Sequence, residues 1–115
     1  MSAAPAHVDR TLAALADPHR RRVVDLLSAG PKSAGELAAA VELSAPAMSR
    51  HLRALRQSEI VEERAAEYDA RVRIYRLRPE PMADLKDWLQ ATERLWAEQL
   101  LAFKDFLETP RGNKA

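Results

Sequence analysis

The sequence predicts a mainly α domain with a small β-hairpin, its elements in the order α-α-α-α-β-β-α. Three observations lead there. Between residues 8 and 58, apolar residues recur at helical spacing in four successive segments. Two short runs, IVEERAAE (60–67) and RVRIYRLR (71–78), then flank Tyr68-Asp69-Ala70. The second run is rich in β-branched residues and Tyr, the composition of a strand. Finally, Pro79 and Pro81 open a long amphipathic stretch over 82–108.

The bounds agree with a single domain. The chain has 115 residues, 47% apolar and 30% charged, enough for a modest core. It has no cysteine, which excludes disulfides, thiolate metal sites and thiol redox chemistry. No apolar run approaches a membrane span and the first fifteen residues lack a signal-peptide pattern, so a cytoplasmic protein with no membrane partner is expected. Residues 1–7 and 109–115 are expected to be flexible ends around a domain at 8–108.

Each element has a local reason. Val8, Leu12 and Leu15 share one face of the first helix. Asp17 is a natural N-cap for PHRRRVVDLLSAG, with Val23, Val24 and Leu27 inward and Gly30-Pro31 as the stop. Ser33 and Glu36 form a capping box for SAGELAAAV, which ends near Val41. After a turn of about three residues, Ser44 caps a fourth helix, 44–58, whose Met48, Leu52 and Leu55 are spaced for burial. Two short helices so joined make a helix-turn-helix, and the hairpin at 60–78 makes it winged. Alternation along the second strand slips between Ile74 and Tyr75, which leaves the faces unassigned there and allows a bulge.

The last helix carries Met82, Leu85, Trp88, Leu89, Leu95, Trp96, Leu100, Phe103, Phe106 and Leu107, with Thr92 and Gln99 the two polar members of its seam. About 25 residues span nearly 40 Å, longer than so small a domain can cover. The arc is also too wide for one neighbour. A second copy is the simplest cover, so a homodimer is expected through Leu85, Trp88, Leu89, Leu95, Trp96 and Phe103, with Val8, Leu12 and Leu15 alongside.

Net charge is only +1, yet its distribution is uneven: residues 18–58 hold seven Arg/Lys against three acids, and residues 79–108 hold three against seven. The front of the fourth helix presents Ser44, Ala45, Pro46, Ser49, Arg50 and Arg53. Small residues allow close approach, Ser bonds phosphates or bases, and Arg pairs bidentately with guanine or phosphate. Double-stranded DNA is the partner this suits. Arg71 and Arg73 on the wing and Arg20 at the second helix are further candidate contacts, although Arg20–22 read most economically as a solvated face. His51 is divided equally between a phosphate contact and packing.

Residues 12–103 resemble ArsR-type (arsenical-resistance-repressor) winged-helix regulators. The likeness lies in LADPHRRRVVDLL, in SAGELAAAVELSAPAMSRHLRALRQSEIVEER, and in RVRIYRLRP before a final Trp-containing helix; LS-x-P-A-x-S-RHL is its most specific part. The resemblance implies a homodimeric, usually repressing, regulator that binds an imperfect palindromic operator, its own operon being a common target. It also implies DNA contact by the positions from Ser44 to Arg53 and by the wing. Two departures stand out. The wing turn has Asp69-Ala70 where Gly is expected, and the fourth helix runs into Gln57-Ser58-Glu59 without Gly, which predicts a weak C-cap.

Neither a metal nor another cofactor is expected. The terminal helix holds no histidine, its Asp84, Asp87, Glu93 and Glu98 would suit a soft metal poorly, and His7 and His19 read as solvated even if the first helices brought them together. A small-molecule effector is left open. No catalytic set is evident, since Ser49 and His51 do not face each other on a helix, so no enzyme is expected. The alternatives are a winged-helix protein-interaction module without DNA binding and a metal-responsive repressor with a non-Cys site.

Overall fold

The computed structural model describes residues 5–109; of the ends expected to be flexible at 1–7 and 109–115, residues 1–4 and 110–115 lie outside the described residues. The elements are α1 (Ala6–Ala14), α2 (Pro18–Leu27), β1 (Lys32–Ser33), α3 (Ala34–Val41), α4 (Ala45–Gln57), β2 (Val61–Ala65), β3 (Arg73–Leu77) and α5 (Pro79–Glu108). The chain divides between Leu85 and Lys86 into two compact units. The first holds α1 to α4, the sheet and the start of α5; the second holds the rest of α5.

The core of the first unit is built from the faces that periodicity marks. Val23 and Leu27 of α2, Leu37 of α3, and Met48, Leu52 and Leu55 of α4 are buried together with Ile60, Val61 and Tyr75. Each such side chain contributes about 1.5–3 kcal/mol when fully buried. α3 packs on α4, and α2 packs on both. The capping box is present: Glu36 N–H donates to Ser33 Oγ at 3.1 Å and Ser33 N–H donates to Glu36 Oε1 at 3.0 Å.

Two left-handed residues bracket α4. Glu42, at φ 60°, ends α3, with Leu43 N–H donating to the Ala38 carbonyl (3.0 Å) and Glu42 N–H to that of Ala39 (3.3 Å). Glu59, at φ 61°, ends α4 in the same way, with Ile60 N–H to the Leu55 carbonyl (3.0 Å) and Glu59 N–H to that of Arg56 (2.9 Å). These are Schellman closures, and the apolar pair that accompanies the second, Leu55 and Ile60, is fully buried. The closure at the end of α4 forms without Gly, with Glu59 adopting the conformation that Gly would favour. Burial of Ile60 holds it there.

The sheet has three antiparallel strands in the order β1-β3-β2. Its register is regular from Val61↔Leu77 to Ala65↔Arg73, so no bulge interrupts the hairpin. Tyr75 is buried and Ile74 half-buried on opposite faces, which resolves the slipped alternation. β1 escapes sequence analysis because two residues have no period; pairing of Lys32 with Tyr75 and Ser33 with Ile74 makes it a strand.

Helix α1 starts earlier than expected, at Ala6, and turns differently. Val8, Thr11 and Ala14 are its buried residues, whereas Leu12 is exposed and Leu15 half-buried. Val8, expected to face a second copy, is 1% exposed and is instead part of the first unit's interior. The Thr11 hydroxyl is satisfied by donating to the His7 carbonyl at 3.0 Å.

Glycine at position 59 would remove a left-handed penalty of about 1–2 kcal/mol, against roughly 0.5–1 kcal/mol of extra chain entropy. Glu59→Gly is expected to stabilise the fold by about 0.5–1 kcal/mol on these terms, read as a higher urea midpoint. A lower midpoint would show that the Glu59 side chain more than compensates for its backbone.

Candidate nucleic-acid interface

The N-cap of α4 is Ser44, extended at φ −66° and ψ 158°, whose Oγ accepts from Ala47 N–H at 3.2 Å. Pro46 follows with no amide hydrogen. The first turn thus has little backbone left to offer an anion, and side chains must carry that task. Ser44, Ala45, Pro46, Ser49, Arg50 and Arg53 are all exposed, opposite the buried Met48, Leu52 and Leu55. Arg50 and Arg53 have no ion-pair partner among the described residues. Two guanidiniums on a rigidly seated helix are therefore available to an external acceptor.

The arginines of α2 behave otherwise. Asp17 caps α2, its Oδ1 accepting from the amides of His19 (2.8 Å) and Arg20 (3.2 Å). Partial burial works to raise the Asp17 pKa, but those amide bonds, His51 and Arg20 outweigh it, so the carboxyl titrates below its ordinary value. Arg20 Nε donates to the Ala14 carbonyl at 2.6 Å, and Arg21 Nη1 donates to those of Leu15 (2.8 Å) and Ala16 (3.1 Å). Both bind carbonyls at the C-terminal end of α1. Arg20 is half-buried, which corrects the solvated-face expectation for that residue, while Arg21 and Arg22 are exposed.

The histidines also sort unexpectedly. His7 pairs with Asp84 (3.2 Å), not with His19. His19 lies against His51, with ring centroids 5.5 Å apart and planes tilted by 45°. His51 is half-buried, its Nδ1 3.5 Å from Arg20 Nη1. Among the described residues, Asp17, His19 and His51 are the one group whose metal-ligating atoms gather within 4.8 Å of one another.

On the wing, charge is neutralised internally. Asp69 Oδ1 accepts from the Arg71 amide (2.9 Å) and from its Nε (3.2 Å), and Oδ2 accepts from Nη2 (3.1 Å). With Val72 N–H donating to the Asp69 carbonyl (3.0 Å), this side-chain turn does the work expected of a glycine. Arg73 donates through Nε (3.0 Å) and Nη2 (2.8 Å) to Glu63 Oε1, while Glu63 Oε2 accepts from Arg56 Nη1 of α4 (3.3 Å) and from the Tyr75 hydroxyl.

A helix-turn-helix domain family matches residues 15–64, the span that holds α2 to α4 and most of β2. The chain is 36% identical over 101 residues to the HTH-type transcriptional regulator Rv2034 of Mycobacterium tuberculosis, covering 88% of this chain and 89% of that protein. Its fold is similar to the crystal structure of an ArsR family transcriptional regulator, with TM-score 0.72 and 31% identity over 84% of this chain and 97% of that one. The chain belongs to the ArsR family of winged helix-turn-helix regulators. Two further similarities extend this. The transcriptional repressor SdpR of Bacillus subtilis is 40% identical over 50 residues, covering 44% of this chain and 56% of that protein. The solution structure of a homodimeric winged helix-turn-helix DNA-binding domain from Mycobacterium bovis has TM-score 0.58 and 26% identity, covering 82% of each chain.

As a member of this family the chain is a DNA-binding transcriptional regulator. Among the described residues no helix is long and apolar enough to cross a membrane. The structure gathers Ser44, Ala45, Pro46, Ser49, Arg50 and Arg53 on one helix front; Arg71 and Arg73 lie on the separate wing, and Arg20 is anchored to α1. Sequence analysis missed Tyr68, 79% exposed at the wing tip, and Glu63, which ties wing to α4. Tyr68 could have been found from its place in the turn. Glu63 could not, because its partners are up to twelve residues away.

The Glu63 carboxyl titrates below its ordinary 4.5: the Tyr75 hydroxyl is the largest cause, partial burial opposes it, and Arg73 and Arg56 add to the lowering. Burial first, then this carboxylate, pushes Tyr75 up to about 12, so it stays a neutral donor. With the folded value depressed, Glu63 contributes stability above the unfolded value of 4.5, and loses it as pH falls through the folded one. The parent chain should therefore lose stability more steeply than Glu63→Gln below that pH, in urea midpoints measured across the acid range. Equal slopes would contradict this reading.

Proposed function

We propose that this protein is a repressor that binds an imperfectly palindromic operator as a homodimer, through Ser44, Ala45, Pro46, Ser49, Arg50 and Arg53. The observation that carries the reading is the exposed front of α4, with two unpaired arginines, on a helix whose back is buried throughout. Arg73 and Arg71 contact DNA from the wing by exchanging Glu63 and Asp69 for phosphates. Arg71, 90% exposed, leaves a pair of the surface kind worth about 0–1 kcal/mol, and Glu63 keeps Arg56 and Tyr75 as partners when Arg73 leaves. Tyr68 at the wing tip joins them. Its own operon is the first target to examine.

Pairing is supported by α5, which buries no residue, while Leu89, Trp96, Leu100, Leu101, Phe103 and Leu107 are each about half or more exposed. So much contiguous apolar surface in water is unfavourable at roughly 25 cal/mol per Å2 and marks an interface. The homodimeric Mycobacterium bovis relative and the named repressor SdpR fit the same reading. Two reading helices related by two-fold symmetry match two half-sites one DNA turn apart.

Arg50→Ala should weaken binding to DNA selected from a random oligonucleotide pool by about thirtyfold or more, because the dimer loses one bidentate contact of roughly 1–3 kcal/mol at each half-site, with sedimentation unchanged. Full retention in fluorescence anisotropy would remove Arg50 from the interface. Trp96→Asp should sediment as a monomer at micromolar concentration with helical circular dichroism intact, and its affinity for the two-fold site should fall further than that of Arg50→Ala. A dimeric Trp96→Asp would place the interface elsewhere.

A further inference from the structure

Asp17 and His19 open α2, and His51 lies in α4, yet the fold brings all three together within the first unit. We propose that they form a site for one divalent ion of the zinc class, which would join the start of α2 to the reading helix.

The donor set is two imidazoles and one carboxylate, with room for water, a combination suited to zinc, cobalt or nickel and poorly suited to calcium. Their ligating atoms lie within 4.8 Å of one another. Tetrahedral bonds of about 2.0–2.2 Å put donors roughly 3.4 Å apart, so the site needs to contract by at most about 1.4 Å. His19 can supply that movement, because its side chain is 49% exposed and its ring is not stacked flat on His51. Both cap bonds of Asp17 fall on Oδ1, leaving Oδ2 to ligate without uncapping α2. Arg20 Nη1 lies 3.5 Å from His51 Nδ1, so an ion bound through that nitrogen would displace the guanidinium. The remaining histidine, His7, is paired with Asp84 and serves as an internal control.

The test is titration of the full chain with Co2+ near neutral pH, followed by visible ligand-field absorption, and with Zn2+ against a chromophoric chelator. One ion per protomer is expected. His19→Ala and His51→Ala should each weaken binding at least tenfold, Asp17→Asn should weaken it while preserving the cap, and His7→Ala should leave it unchanged. Thermal midpoints of the metal-free variants confirm folding, and His19→Ala, altering an exposed side chain, is decisive if His51→Ala unfolds. Binding that survives His19→Ala, or that falls as much in His7→Ala, would overturn the site. So would no binding up to millimolar ion.

Discussion

The structure depends on one packing event, the burial of Met48, Leu52 and Leu55 of α4 against α2 and α3. It fixes which side of α4 remains in water, and therefore which residues can meet DNA. Truncating one such residue would cost about 2–5 kcal/mol, a large share of what a domain this size has. The left-handed Glu42 and Glu59 follow from the same event. Each tolerates an unfavourable backbone because the residue after it, Leu43 or Ile60, packs against the core.

A second pattern separates two kinds of arginine. Arg20 and Arg21 of α2 and Arg71 and Arg73 of the wing are held by internal partners: carbonyls at the end of α1, Asp69 and Glu63. Those on the front of α4 are not. A chain of net charge +1 can thus present a local cationic face. Glu63 links Arg73 of the wing to Arg56, so that wing and α4 share an anchor.

Much of this was legible in the amino-acid order. Helical spacing marked α2, α3 and α4, and short-range rules placed Asp17, the Ser33–Glu36 box and Ser44, because capping is decided within three residues. What stayed hidden was decided over longer distances. β1 is a strand only through β3, Glu63 matters only through Arg56, Arg73 and Tyr75, and His19 meets His51 rather than His7 only once α3 and α4 have packed. Helix α1 misled because Leu12 and Thr11 compete for one interior position, and Thr11 can bury its hydroxyl by bonding back to His7. The exposed stripe of α5 was legible as surplus apolar surface.

The proposed function requires a seated reading helix presented twice at one spacing. The chain has no cysteine, so Ser49→Cys carries a single spin label on the front of α4. Double electron–electron resonance on the labelled dimer should give one narrow distribution near 34 Å, one turn of DNA. A broad distribution, a distance far from that value, or no dipolar coupling would contradict the account.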